Sequence, residues 1–110
     1  MTLEITASGI TFRGMDMYIV YGDAELYLPY CESLKEKRKH IQSIIARIRK
    51  RFNVSIAEAD HHDLWQRSVL GFAAVCNSNT EAEFILQAIR ETIEQHEDAC
   101  QLITFNHQIN

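Results

Sequence analysis

Two copies of one helix-start signal, Ser33-Leu34-Lys35-Glu36 and Ser78-Asn79-Thr80-Glu81, each precede an amphipathic run. In this capping box the serine hydroxyl accepts a first-turn amide, while the glutamate reaches back to the serine's own amide. After the first box, Leu34, Ile41, Ile44, Ile45, Ile48 and Phe52 form one stripe at the helical angle, predicting a helix to about Phe52. After the second, Ala82, Ile85, Leu86, Ile89 and Ile93 predict a helix over about 80–97. Phe84 lies off that stripe, among acids. Lys37 is the exception in the first helix. It falls inside the apolar sector, so its side chain must snorkel past the core or reach beyond the sheet edge.

Four segments between and around these helices read as strands: 17–28, 53–60, 68–76 and 101–109. In the first, Val20, Ala24, Leu26 and Leu28 share one face and Asp23 and Glu25 the other, before Pro29 stops it. Segment 68–76 is apolar on both faces, which places it centrally in a sheet. Gly22 and Gly71 fall mid-strand, where glycine marks a bulge or a close backbone approach. The order βαββαβ predicts an α+β, ferredoxin-like sandwich: a four-stranded antiparallel sheet with both helices on one face. Its 110 residues suit one domain, placed at 17–110. Residues 1–16, with two glycines, read either as a short extra strand or as an N-terminal extension outside the fold, and the extension is the reading taken.

Several classes are set aside. No apolar run approaches the ~20 residues that span a bilayer, so no membrane association is expected. The first residues carry an acid and no basic region, unlike a secretory signal. Cys31, Cys76 and Cys100 are an odd set without C-x-x-C spacing, which argues against a disulfide framework or zinc site and for a cytoplasmic location. No metal or cofactor is expected. Glycine-rich phosphate loops and the G-x-S-x-G nucleophile motif are absent, so the reading leans away from an enzyme.

The net charge of −4 hides a strong segregation. Eight of the eleven basic residues lie between Lys35 and Arg51, opposed only by Glu36, whereas residues 81–98 carry six acids against Arg90 alone. One face of such a chain is positive whatever its average.

The segments S-L-K-E-K-R, R-F-N-V-S-I-A-E and D-H-H-D-L-W-Q-R-S-V-L-G stand in order along residues 17–109. In these the chain resembles the YlxP-like proteins, the bacterial domain-of-unknown-function 503 family. The resemblance implies a small ferredoxin-like domain. It also implies a neighbourhood of genes for translation initiation and ribosome maturation, which is association without mechanism.

Four candidate sites follow. In the basic helix, Lys35, Lys37, Arg38, Lys39, Arg47, Lys50 and Arg51 are expected to neutralise phosphates of structured RNA or of a ribosomal subunit. Tyr18, Tyr21, Tyr27 and Tyr30 are the candidate stacking surfaces nearby. The hairpin motif, Asp60, His61, His62, Asp63, Trp65, Gln66 and Arg67, has metal-binding atoms, but alternation along a strand separates them. It is read as a turn whose acids cap amides, whose Trp65 packs on the sheet or a partner, and whose Arg67 pairs with Asp60 or Asp63. Cys31 precedes a helix near cations but lacks an identifiable histidine orienter, so it is read as passive. Finally, an open sheet face carrying Tyr21, Tyr27, Leu70 and Phe72 predicts a homodimer through that face or an edge strand. The rival functions are a homodimeric protein-interaction module and a metal-dependent enzyme built on Asp60–Asp63.

Overall fold

The computed structural model describes residues 3–6 and 9–110, with side chains from Gly9 onward. Its elements are β1 (Leu3–Thr6), β2 (Gly9–Phe12), β3 (Met15–Tyr27), α1 (Leu34–Arg51), β4 (Ser55–Asp60), β5 (Arg67–Cys76), α2 (Asn79–Glu94) and β6 (Gln101–Ile109). The fold is α+β, and its central sheet runs β6-β3-β5-β4, all antiparallel, which is the ferredoxin-like order. The doubly apolar strand, β5, sits between β3 and β4 as its composition predicts.

The strand count differs from expectation. Among the described residues the sheet has six strands, because β1 pairs with β2 and β2 pairs with Met15–Met17 at the start of β3. The β2–β3 connection is a two-residue hairpin, with both Arg13 (φ 54°) and Gly14 (φ 75°) left-handed, as a type I′ turn requires. Ile10 is buried there, apart from the main core. Strands of four residues give too little alternation to be read from sequence alone.

Both helices begin at the predicted serines. Ser33 Oγ accepts the Glu36 amide and Ser78 Oγ the Glu81 amide, each at 3.1 Å. The glutamates reach one residue further back than expected: Glu36 accepts from the Glu32 amide (3.0 Å) and Glu81 from the Asn77 amide (2.9 Å). The core lies between helices and sheet and includes Val20, Ala24, Leu26, Leu28, Ile44, Ile48, Ile56, Leu70, Ile89 and Ile93. Gly22 is a close approach: an added Cβ would collide with the Asn106 carbonyl of β6.

The open face is not the apolar patch that was expected. Leu70 and Phe72 are buried in the core, and Phe72 stacks on Phe105 at 5.7 Å. A strand apolar on both faces carries no parity signal, and the helices take the larger set, Leu70, Phe72, Ala74 and Cys76. The other face is mixed, with Tyr21 and Val75 exposed among polar pairs. Tyr21 donates to Gln108 (2.9 Å), Asn106 to Asp23 (3.1 Å), and Arg67 pairs with Glu25 (2.8 Å). Of the residues expected on a dimer face, Leu70 and Phe72 thus turn inward, while Tyr21 and Tyr27 stay on the open face beside exposed Val75. Among the described residues no helix is long and apolar enough to cross a membrane.

Candidate functional site

The first turns of α1, the β3–α1 connector and the β4–β5 loop meet at one end of the sheet, and Lys37 is what joins them. Its side chain is fully buried. Nζ donates to the carbonyls of His61 (2.7 Å), Arg67 (3.2 Å) and His62 (3.3 Å), and lies 3.1 Å from a Glu58 carboxylate oxygen. Ser68 Oγ donates to the same carboxylate oxygen at 2.6 Å. Lys37 thus neither snorkels nor joins the exposed cations. It is a positioning residue that holds the loop, because a buried ammonium is tolerated only when paired and hydrogen-bonded. Glu58 shares the inward face of β4 with Ile56, which brings its carboxylate to Lys37.

The loop is shaped by more than that contact. His61 is left-handed (φ 62°), its amide donates to Asp60 Oδ1 (2.7 Å), and Ala59 falls at a bulge between Glu58 and Asp60. The Gln66 side-chain amide donates to the carbonyls of Pro29 (3.2 Å) and Cys31 (3.3 Å), while the Gln66 backbone carbonyl accepts the Leu28 amide (2.9 Å). Gln66 is therefore a clasp between loop and connector. Exposed Tyr30 and Trp65 flank it, with Trp65 54% accessible rather than packed on the sheet. Arg67 pairs with Glu25, not with Asp60 or Asp63, since it lies on the open face beside β3. His61 is half-buried and Asp60, His62 and Asp63 are exposed. Their donor atoms do not converge: among the described residues the one group of three metal-capable side chains is Cys31, Glu36 and His40.

Lys35, Arg38, Lys39, Arg47, Lys50 and Arg51 are all exposed along α1. From Lys35 to Arg51 the helix rises about 24 Å at 1.5 Å per residue. None of the six forms an ion pair among the described residues, where the pairs involve Lys37, His61, Arg67 and Arg90. Arg51 lies over the Phe52 ring at 5.9 Å, and Arg49 is tied to the Ile56 carbonyl at 2.8 Å. The aromatic partners differ from expectation. Tyr21 and Tyr27 lie on the open face, Tyr18 packs against the core, and only Tyr30 remains exposed at the α1 end.

Cys31 is buried, and burial raises its thiol pKa, with Glu36 adding to the rise and Lys37 opposing it. A raised pKa leaves a poor nucleophile. The absence of a nearby histidine, however, is corrected: His40 stands beside it, one turn beyond Glu36, a proximity that sequence distance concealed.

A family model described as "Protein of unknown function (DUF503)" matches residues 19–106, from early β3 into β6. The chain is also 36% identical over 86 residues to "Uncharacterized protein YlxP" of Bacillus subtilis (strain 168). That match covers 78% of this chain and 94% of the relative. β1 and β2 lie outside the family match.

Proposed function

The chain belongs to the DUF503 family of proteins of unknown function, and on that footing we propose that it binds structured RNA, free or on a ribosomal subunit, through the outer face of α1. The observation that supports this is a row of six exposed cations with no ion-pair partner among the described residues, on a chain whose net charge is negative. Unneutralised charge crowded on one helix is electrostatically unfavourable in the free protein and is relieved when a polyanion replaces its counterions. The first turn adds free backbone amides and the positive end of the helix dipole, both of which favour phosphate near Lys35, Arg38 and Lys39. Tyr30 and Trp65, exposed on either side of the Gln66 clasp, supply ring faces for an unstacked base.

Binding of purified ribosomal subunits and naked ribosomal RNA across a salt titration tests the reading. Log affinity should fall with log salt by about 0.7–0.9 per phosphate contacted. The double variant Arg38→Glu with Lys39→Glu, both exposed, should lose at least tenfold in affinity with an unchanged melting curve. Salt-insensitive binding, or equal affinity in the variant, overturns the assignment.

A further inference from the structure

We propose that Cys31, Glu36 and His40 form a three-ligand site for a zinc-class divalent transition-metal ion. One ligand atom from each, the Cys31 sulfur, a Glu36 carboxylate oxygen and a His40 ring nitrogen, lie within 4.8 Å of one another. Metal bonds of about 2.3 Å to sulfur and about 2.0–2.2 Å to nitrogen and oxygen put tetrahedral donors about 3.5 Å apart, so closure by roughly 1 Å completes the set. Glu36 and His40 stand four apart on α1 and therefore project side by side.

Two of the donors are otherwise unused. The other buried thiols have acceptors: Cys76 faces the Ala74 carbonyl at 4.0 Å and Cys100 the Ile93 carbonyl at 3.9 Å. The Cys31 thiol donates to no described residue, although its backbone is tied down by Leu28 and Gln66. The His40 ring likewise makes no hydrogen bond or ion pair among the described residues. Glu36 is oriented rather than free: one oxygen accepts the Glu32 amide, as an outer-shell partner commonly orients a ligating carboxylate.

The chemistry of the set selects the ion. Thiolate, imidazole and carboxylate together suit zinc or cobalt, whereas magnesium and calcium take oxygen donors. Binding releases the thiol proton to solvent, and one thiolate plus one carboxylate then neutralise the divalent charge. Lys37, the buried cation nearby, is already balanced by Glu58. Glu36 and His40 are half-buried, giving an entry path and a fourth position open to water, while Cys31 closes the inner side.

The inference is independent of RNA binding, and cobalt reads it directly. The reduced, metal-stripped full chain is titrated with cobalt(II) under absorbance. One equivalent should produce a thiolate-to-cobalt charge-transfer band with visible bands of tetrahedral intensity, both abolished by zinc. Cys31→Ser should remove the charge-transfer band, His40→Ala should weaken binding at least tenfold, and Cys100→Ser should leave the spectrum unchanged. Circular dichroism confirms that His40→Ala is folded. No charge-transfer band, a band surviving Cys31→Ser, or undiminished affinity in folded His40→Ala overturns the proposal.

Discussion

α1 and α2 begin with the same capping chemistry, their serine caps at the same 3.1 Å, and lie side by side on one face of the sheet. Their outer surfaces are opposite: α1 carries six exposed cations with no ion-pair partner among the described residues, whereas α2 and its following turn expose Glu83, Glu94, Glu97 and Asp98. Their buried faces differ at one position each. α2 buries Thr92, whose hydroxyl donates to the Ala88 carbonyl one turn back and so is satisfied within the helix (2.7 Å). α1 buries Lys37, whose ammonium can be satisfied only by leaving the helix for Glu58 and the β4–β5 loop. The contrast teaches that α2 is a covering helix, locally complete, whereas α1 depends on a distant loop and organises it.

Breaking each buried polar contact should separate the helices most. Lys37→Met leaves the Glu58 carboxylate without its counter-charge and takes the ammonium donor from the His62 and Arg67 carbonyls, and should lower unfolding free energy by about 3–5 kcal/mol. Thr92→Val leaves the helix bond to Ala88 in place and should cost about 1 kcal/mol. Urea unfolding of the two variants checks this, and equal losses would remove the distinction. In Lys37→Met the Trp65 emission should also shift as the loop loosens, which a purely local packing change would not produce.

The thiols around the helices give a pH test of intermediate size. Burial, then Asp98 and Cys31, push the Cys100 thiol up to about 11. An unfolded thiol ionises near 8.5. The folded state therefore holds the extra proton, and its contribution is complete below pH 8.5 and lost as pH rises towards 11. Cys76 (burial first, then Glu81) is raised in the same direction. Stability under reductant should decline by about 3 kcal/mol over that interval. In Cys100→Ala the decline should flatten, and an unchanged slope would assign it to other groups.

The smallest effect tests the similarity rather than the difference. Ser33→Ala and Ser78→Ala each remove one capping acceptor and should each cost about 1 kcal/mol. Unequal losses in thermal melts would show that the Ser33 cap is reinforced by the loop beneath α1.

Much of the fold was legible because it rests on local rules. The capping serines, the stripes through Ile44 and Ile89, the inward set Val20, Ala24, Leu26 and Leu28, and the central position of β5 all follow from periods of 3.6 and 2. Lys37 was legible as an anomaly but not as a contact. The parity of β5 was not legible, since Leu70 and Val69 are equally apolar. Of the candidate interface, the outer cations were readable, whereas the Gln66 clasp and the partner of Arg67 were not.

The sequence by itself determined where helices start, which faces are apolar and where charge concentrates, because each depends on residues within one or two turns. Tertiary structure alone decided which face of β5 turned inward, that Lys37 would be spent on the loop rather than on a ligand, and that Cys31 and His40 would meet. Those outcomes depend on which distant groups remain to satisfy a buried charge or fill a volume, and no local window contains them.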